Sequence, residues 1–342
     1  MRDDVIRGYR LVTPFSTAGG GQCQWALAER GGVVYFLKRF LTPRYPVPGS
    51  PGSAATKRRK LAQCEAFEKH HRALADALQH RCAPGGNLVV TRDFFREETA
   101  YYKITERVET EHFSTDDIAA LPDEKRLLLL KTITHSLLIL HDANIVHGDL
   151  KPDNVLAKRT EAGVLVTKLI DFDDSFFSAA PPPVGSVVGD PVYLAPETAA
   201  YSEGAADGRT LTQKADVFSL GLLFSSYSLG SKAFAAFSTH GHHYAHEFIL
   251  RGKPIPLAWP RLPAHLRPLI QQMLSATPDA RPSTREVLDA LKTGAIARPV
   301  RPVAPTPAPA ASTGRLSGRL VRESPASAAP THLTGTLLGS SR

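Results

Sequence analysis

Three polar residues in one short run could together transfer a phosphoryl group. Residues 147–154 read His-Gly-Asp-Leu-Lys-Pro-Asp-Asn and directly follow a long amphipathic segment. Asp149 can orient an attacking hydroxyl and accept its proton, Lys151 can neutralise charge on the moving phosphoryl group, and Asn154 can hold Mg²⁺. The residue types and their spacing therefore indicate metal-assisted phosphoryl transfer, with these three as candidate catalytic residues.

A second acidic motif follows at the end of a strand-like run. Residues 168–170 are Lys-Leu-Ile, and they lead into Asp171, Phe172 and Asp173. A carboxylate at a strand end beside a phosphate site is well placed to bind Mg²⁺. Asn154 and Asp171 are therefore the candidate metal ligands. The two motifs in this order are far more specific than either alone.

The elements that must position these residues change character along the chain. Strands are predicted at 9–14, 24–29, 33–40, 87–93 and 101–108, with one helix at 60–78 and a Pro- and Gly-rich loop at 42–55. From residue 118 onward the pattern is helical, with helices predicted at 124–142, 214–227, 265–275 and 284–292. A β-rich half followed by a helical half is an α+β arrangement of two lobes.

The motifs resemble those of the eukaryotic-like serine/threonine protein kinases, a family also found in bacteria, over about residues 9–292. The resemblance implies ATP and Mg²⁺ as cofactors and transfer of the γ-phosphoryl group to Ser and Thr hydroxyls of protein substrates. Lys151 favours serine/threonine over tyrosine specificity. Asp216 is similar to the aspartate that braces the catalytic loop, and Arg281 to the arginine that pairs with Glu197 at the end of the activation segment.

The resemblance also implies a nucleotide site centred on Lys38. This lysine, in the strand at 33–40, is similar to the one that binds the α- and β-phosphates. Its acidic partner is expected on the following helix, where Glu68 and Glu65 are both available and Glu68 is preferred. The remaining candidate nucleotide-binding residues are Gly19, Gly20, Gly21, Glu106, Val108 and Leu156. The three glycines are consecutive, unlike the spaced pattern of the family, but glycine still allows a close approach to phosphate.

The implied domains are a small β-rich N-lobe with one main helix at 1–106, which would bind nucleotide, and a larger helical C-lobe at 107–294, which would carry catalysis and substrate binding. Residues 295–342 are rich in Pro, Ala, Ser and Arg and are expected to be disordered. Their proline-rich start, at 299–309, is a candidate partner ligand or semi-rigid spacer.

Two positions depart from the family pattern. Gly148 stands where many regulated kinases carry the Arg that pairs with a phosphate on the activation segment. Activity is therefore expected not to depend on phosphorylation of that segment. Asp173 replaces the glycine that usually follows Asp171 and Phe172. Its side chain would either restrict the backbone or add a carboxylate near Mg²⁺, and the sequence leaves both interpretations open.

Two other function classes compete with a protein kinase. Small-molecule phosphotransferases of the aminoglycoside or choline type share the His-Gly-Asp turn, but Lys151, Glu197, Asp216 and Arg281 argue against them. A pseudokinase scaffold is suggested by the irregular glycine run. The presence of the lysine, the two aspartates and the asparagine needed for Mg-ATP chemistry argues against it.

Charge and cysteine content favour a cytoplasmic protein. The formal net charge is +8, and residues 298–342 contribute six arginines and one acid to it. Aromatic residues do not interleave with the basic runs, so no nucleic-acid partner is expected. Three widely spaced cysteines suit a reducing compartment. No apolar run reaches the length of a membrane span, so none is expected.

Overall fold

The computed structural model describes residues 5–17, 23–47, 49, 51–79, 81–82, 86–187 and 189–294. Its first part contains six strands, β1 (Val5–Ile6), β2 (Tyr9–Leu11), β3 (Cys23–Arg30), β4 (Val33–Phe40), β5 (Thr91–Glu97) and β6 (Ala100–Glu106). They form one antiparallel sheet in the order β1-β2-β3-β4-β6-β5. The single long helix of this part, α1 (Ala54–Gln79), lies between β4 and β5 in the chain.

The sheet presents two different faces because successive side chains alternate along a strand. On one face Leu37, Ile104 and Phe95 are buried in an apolar cluster. On the other face Phe40 and Tyr101 pack with Cys64 of α1. Side chains of β4 and β6 that lie an even number of positions from Phe40 and Tyr101 are on this same face. They therefore point toward α1 and the second part of the chain.

Helix α1 begins earlier than the sequence pattern indicates. The predicted helix at 60–78 is observed as Ala54–Gln79. The hydroxyl oxygen of Ser53 accepts a hydrogen bond of 3.2 Å from the amide of Thr56, and its carbonyl accepts one of 3.0 Å from Lys57. Ser53 thus caps the helix and extends it into the Pro- and Gly-rich segment.

The strand predicted at 87–93 is displaced, and β5 begins only at Thr91. The backbone of Asn87 and Val89 bonds instead to Leu169, at 2.8 and 3.0 Å. Leu88 is buried in the large core of the second part of the chain. Residues 87–89 therefore link the two parts, and a register irregularity between Thr91 and Asp93 follows.

The second part is mainly helical. Its strands are β7 (Ile145–Val146), β8 (Val155–Arg159), β9 (Leu165–Leu169) and β10 (Phe176–Phe177). Its helices are α2 (Thr115–Ala119), α3 (Asp123–Asp142), α4 (Pro196–Ser202), α5 (Gln213–Leu229), α6 (Ala236–Thr239), α7 (Ala245–Leu250), α8 (Arg267–Met273) and α9 (Thr284–Thr293). Helix α5 is buried along most of its length and forms the centre of the core. The expected α+β arrangement of a β-rich and a helical lobe is confirmed.

None of the helices in the described ranges combines the length and the apolar character needed to cross a bilayer.

Candidate active site

The loop after β7 is held from beneath by one buried carboxylate. Asp216, in the first turn of α5, accepts hydrogen bonds from the backbone amides of His147 at 2.7 Å and Gly148 at 3.1 Å. The imidazole of His141 lies 2.9 Å from the same carboxylate. Strand β7 pairs with β10, which fixes where the loop begins. The pairing of β7 with β10 and the hydrogen bonds from the loop amides to Asp216 together fix the backbone of the loop that carries Asp149.

The three candidate catalytic residues come together around the Asp149 carboxylate. Its Oδ2 lies 2.8 Å from Nζ of Lys151 and accepts a hydrogen bond of 2.9 Å from Nδ2 of Asn154. Nδ2 of Asn154 also donates to the carbonyl of Asp149 at 2.7 Å. Because the amide nitrogen of the Asn154 side chain donates to Asp149, the side-chain oxygen Oδ1 of Asn154 is the atom that could bind a cation.

The second oxygen of Asp149 connects the loop to residues just before α4. Oδ1 accepts a hydrogen bond of 2.9 Å from the amide of Asp190. Burial lowers the pKa of Lys151, but its hydrogen bond to Asp149 and the charges of Asp149 and Asp190 outweigh burial and raise it. Lys151 is therefore a firmly cationic group beside the carboxylate.

Asp171 lies just beyond the end of β9, next to Asn154. The amide of Ile170 donates to the carbonyl of Asn154 at 3.0 Å, which joins the two candidate metal ligands through the backbone. Asp171 adopts a left-handed backbone conformation with φ of 62°. Both of its carboxylate oxygens lie 2.9 Å from Nζ of Lys38. The lysine of β4 and the acid after β9 thus meet across the two lobes.

Glu68, the expected partner of Lys38 on α1, contacts other residues in this structure. Oε1 of Glu68 accepts a hydrogen bond of 2.8 Å from the hydroxyl of Tyr101, and its Oε2 lies 3.7 Å from Arg72. Glu65, the other candidate, is exposed. The register of α1 explains the difference, because it directs Glu68 to Tyr101 and away from Lys38. Lys38 pairs instead with Asp171 and Asp173.

Four carboxylates crowd the region around the catalytic loop. Burial, followed by the charges of Asp173, Asp171 and Asp149, raises the pKa of Asp174 from 3.8 to about 6. Negatively charged carboxylates therefore repel one another in this region, and a bound divalent cation would reduce that repulsion.

Gly148 could not be another residue without a change of backbone. Its φ is +82°, a region that L side chains rarely adopt. A Cβ at this position would lie 2.8 Å from the carbonyl oxygen of Asp174. The absence of an Arg before Asp149 is thus a requirement of this loop conformation.

The candidate nucleotide-binding residues are placed as follows. Gly19, Gly20 and Gly21 lie outside the described residues. Oε1 of Glu106, at the end of β6, lies 2.5 Å from Nζ of Lys168. Val108 is half-buried just after β6, and Leu156 is half-buried in β8.

The structure also places three further residues, Trp25, Phe36 and Lys103, on the cleft face of the sheet. Phe36 precedes Lys38 by two positions, and Trp25 and Lys103 lie directly opposite Lys38 on the two neighbouring strands. All therefore share the face of Lys38. The rings of Trp25 and Phe36 stack with centroids 5.4 Å apart. Strand alternation alone could have identified Phe36, whereas Lys103 required knowledge that β4 pairs with β6.

The segment after Asp190 is anchored by a buried ion pair. Two guanidinium nitrogens of Arg281 lie 2.6 and 2.8 Å from the carboxylate of Glu197. The Arg281 side chain is fully buried. Ser219 donates to the carbonyl of Tyr193 at 2.7 Å. The pairing of Glu197 with Arg281 inferred from the sequence is present.

Comparison with known proteins identifies the class. The protein kinase domain family matches residues 53–291, which is more than half of the chain. The chain therefore belongs to the protein kinase family, and the two-lobed kinase fold expected from the sequence is confirmed. The family match begins at α1, so strands β1 to β4 and Lys38 lie outside it.

The curated relatives include serine/threonine kinases. Calcium-dependent protein kinase 24 of Arabidopsis thaliana is 29% identical over 223 residues, covering 61% of this chain and 35% of the relative. Calcium-dependent protein kinase 2 of Oryza sativa subsp. japonica is 33% identical over 165 residues, covering 47% and 29%. Ovarian-specific serine/threonine-protein kinase Lok of Drosophila melanogaster is 31% identical over 172 residues, covering 49% and 34%. The chain spans about a third of the length of these relatives.

Proposed function

We propose that the chain transfers the γ-phosphoryl group of ATP, with Mg²⁺, to serine and threonine hydroxyls of protein substrates. The observation that carries this proposal is the Asp149 carboxylate, which Lys151, Asn154 and the amide of Asp190 hold in one orientation. A preorganised carboxylate beside a cation is what a general base for phosphoryl transfer requires.

Each residue has a separate role in the proposal. Asp149 orients the hydroxyl and accepts its proton, and Lys151 neutralises charge on the phosphoryl group. Lys38 binds the non-transferred phosphates. These assignments follow from the charges and from the ion pairs that keep both lysines cationic.

The donor set fits Mg²⁺. Asn154 and Asp171 offer one amide oxygen and one carboxylate on adjacent backbone segments. Mg²⁺ prefers oxygen ligands and commonly takes one or two carboxylates, with phosphate and water completing its shell. When bound, the ion neutralises charge that develops on the phosphate oxygens.

Contacts of the activation segment favour a protein substrate over a small molecule. The amide of Asp190 bonds to Asp149, so the start of this docking segment is tied to the base. The buried pair of Glu197 and Arg281 fixes the other end. A small substrate would not need a peptide-docking segment held at both ends.

We further propose that turnover does not require phosphorylation of the activation segment. The conformation of Gly148 supports this, because the loop excludes any side chain that could pair with a phosphate there.

The proposal also includes the domain boundaries, the binding partners and the cellular location of the chain. The assignment of residues 1–106 and 107–294 to two lobes is supported by the end of β6 at Glu106. The tail at 295–342, with its proline-rich start, lies outside the described residues and is proposed as a site for a protein partner. No nucleic acid is proposed as a partner, and the cytoplasm is the proposed location.

A scaffold without turnover is the second candidate. The stacked rings of Trp25 and Phe36 favour it, because they occupy part of the cleft face on which adenine would lie. Lys38 also binds both oxygens of Asp171, the candidate metal ligand. This contact favours a scaffold as well, because Lys38 and Mg²⁺ would compete for the same carboxylate.

One assay separates the candidates. The full chain is incubated with γ-labelled ATP, Mg²⁺ and a generic basic protein, alongside Asp149→Asn. Label on Ser or Thr of the protein, abolished in the variant, is the expected result. Label confined to an added aminoglycoside or choline would indicate the small-molecule class, and nucleotide binding without any label would indicate a scaffold.

A further inference from the structure

Two buried lysines stand side by side on the cleft face of the sheet. Lys38 of β4 and Lys103 of β6 are direct cross-strand partners. Their side chains are only 13% and 8% exposed. Like charges directly opposite each other destabilise a sheet, and buried charges are tolerated only when they are paired. Each lysine therefore needs a nearby anion, and one anion between the two amines would serve both.

Asp173 supplies that anion. Its Oδ2 lies 2.6 Å from Nζ of Lys38, and its Oδ1 accepts a short hydrogen bond from Nζ of Lys103. The Asp173 side chain is only 14% exposed. Asp173 is thus a buried anion shared by both lysines.

Helix α1 provides no equivalent group. Glu68 is bonded to Tyr101 and is the residue expected from the sequence to hold Lys38. His71, also on α1, lies among the rings of Phe40, Phe67 and Phe94. Burial lowers its pKa to about 3, so its ring is neutral at physiological pH. His71 therefore offers no negative charge that could pair with either lysine.

We propose that Asp173 is the positioning residue that anchors Lys38 for phosphate binding, replacing a carboxylate on α1. This inference rests on the proposed function, since it assumes that Lys38 binds nucleotide phosphates. Lys38 has two acidic partners, so Asp171 can turn to a metal ion while Asp173 keeps the amine in place. The position of the Lys38 amine is then determined by the segment after β9, which carries Asp171 and Asp173. It does not depend on a carboxylate on α1.

The test compares nucleotide affinity with turnover. Asp173→Asn and Glu68→Gln are made in the full chain, and each is also combined with Asp149→Asn to measure binding of fluorescent Mg-ATP without turnover. Because Lys38 contacts phosphates before and during transfer, Asp173→Asn is expected to raise the KM for ATP and the Kd about tenfold, with a smaller change in kcat. Glu68→Gln is expected to stay within about twofold of the parent chain.

A second pair of variants guards against misfolding. Lys103→Met removes one of the two lysines, so Asp173→Asn with Lys103→Met restores the charge balance and leaves Lys38 with Asp171 but without the carboxylate of Asp173. This double variant is expected to melt within a few degrees of Lys103→Met alone and still to bind Mg-ATP about tenfold more weakly than it.

The outcomes distinguish the two proposals. Equal affinity of the double variant and Lys103→Met, or a larger loss in Glu68→Gln than in Asp173→Asn, would overturn the role of Asp173. A parent chain that binds Mg-ATP but transfers no label would overturn the proposed function alone, because the affinity comparison still measures the anchor. A parent chain that binds no Mg-ATP would overturn both.

Discussion

Nζ of Lys38 lies 2.9 Å from both carboxylate oxygens of Asp171. One residue comes from the sheet and the other lies just beyond the end of β9, so this ion pair joins the two lobes. The Asp171 side chain is 37% exposed, which leaves it accessible to a cation from solvent. The same carboxylate is the proposed ligand of Mg²⁺, so Mg²⁺ and Lys38 compete for it.

Asp171→Asn is expected to abolish Mg²⁺-dependent transfer while leaving the fold intact. An amide is a much weaker Mg²⁺ ligand than a carboxylate, and turnover is expected to drop by about 10²-fold or more. Label transfer and thermal melting measure the two effects. Asp153→Asn, at an exposed position of the catalytic loop, is the matched control and is expected to keep most activity. Turnover of Asp171→Asn near the parent value would refute the metal assignment.

Gly148→Ala tests whether the catalytic loop excludes a side chain. Both Gly148 and Gly163 have positive φ, of +82° and +74°, but a Cβ at Gly163 would meet nothing within 4 Å. Left-handed strain of about 1–2 kcal/mol is therefore common to Gly148→Ala and Gly163→Ala. Only Gly148→Ala adds a contact of 2.8 Å with the carbonyl of Asp174.

Chemical unfolding and label transfer are measured for both glycine variants. Gly148→Ala is expected to lose more stability than Gly163→Ala and to lower turnover, because its loop carries Asp149. Equal effects of the two substitutions would show that the close approach to Asp174 is unimportant.

The two catalytic motifs could be predicted from the sequence because each lies in one short stretch. Between Asp149 and Asn154 the chain makes a single turn, Pro152–Asn154, so residue type and spacing nearly determine the geometry. The clamp by Asp216 could be inferred only from the family resemblance.

The partner of Lys38 could not be predicted in this way. Its choice depends on where α1 begins, which the local cap by Ser53 sets, and on how α1 is rotated, which the tertiary contacts of Tyr101 and Cys64 set. Lys103 and Asp173 are far from Lys38 in sequence. Their role becomes visible only when β4 pairs with β6 and the segment after β9 folds beneath them.

Acid is expected to destabilise the chain through His71. Its ring packs among three phenyl rings, and burial lowers its pKa from 6.5 to about 3. The charge of Asp173 raises this pKa, whereas Lys103, His70 and Lys38 lower it. The unfolded chain takes up a proton near its ordinary pKa and the folded chain does not. The contribution of His71 to the free energy of unfolding is therefore fully present above pH 6.5 and is lost as the pH falls toward 3.

His71→Leu removes this dependence. Between pH 6.5 and about 4.5 the parent chain is expected to lose up to about 3 kcal/mol through this group, and His71→Leu is expected to lose correspondingly less. Urea unfolding at several pH values measures the difference. His135→Ala, at an exposed position of α3, is the control and should keep the parent slope. Parallel curves for His71→Leu and the parent would contradict the assignment.

Activation-segment serines test the consequence of Gly148. Ser186 is exposed and Ser178 is half-buried, so both can be replaced at little structural cost. Turnover of Ser178→Ala with Ser186→Ala is expected to stay within about twofold of the parent. Ser175 differs, because it is 1% exposed and donates to the carbonyl of His147 at 3.0 Å. Ser175→Ala is expected to destabilise the chain by about 1 kcal/mol without involving any phosphate. A large loss of turnover in the double variant would show that the segment is controlled by phosphorylation.

Glu197→Gln is expected to be among the most destabilising single substitutions in the C-lobe. Arg281 is fully buried, so removing the charge of its partner leaves an uncompensated cation, at a cost of about 3–5 kcal/mol. The matched control is Asp207→Asn, whose partner Arg209 is 84% exposed, so solvent screens this ion pair and its loss is expected to cost little stability. Chemical unfolding of both variants measures the contrast. Because Ser219 and the amide of Asp190 still hold the segment, residual turnover is expected in the folded fraction of Glu197→Gln. Similar stability losses in the two variants would mean that burial does not determine the strength of the Glu197–Arg281 pair.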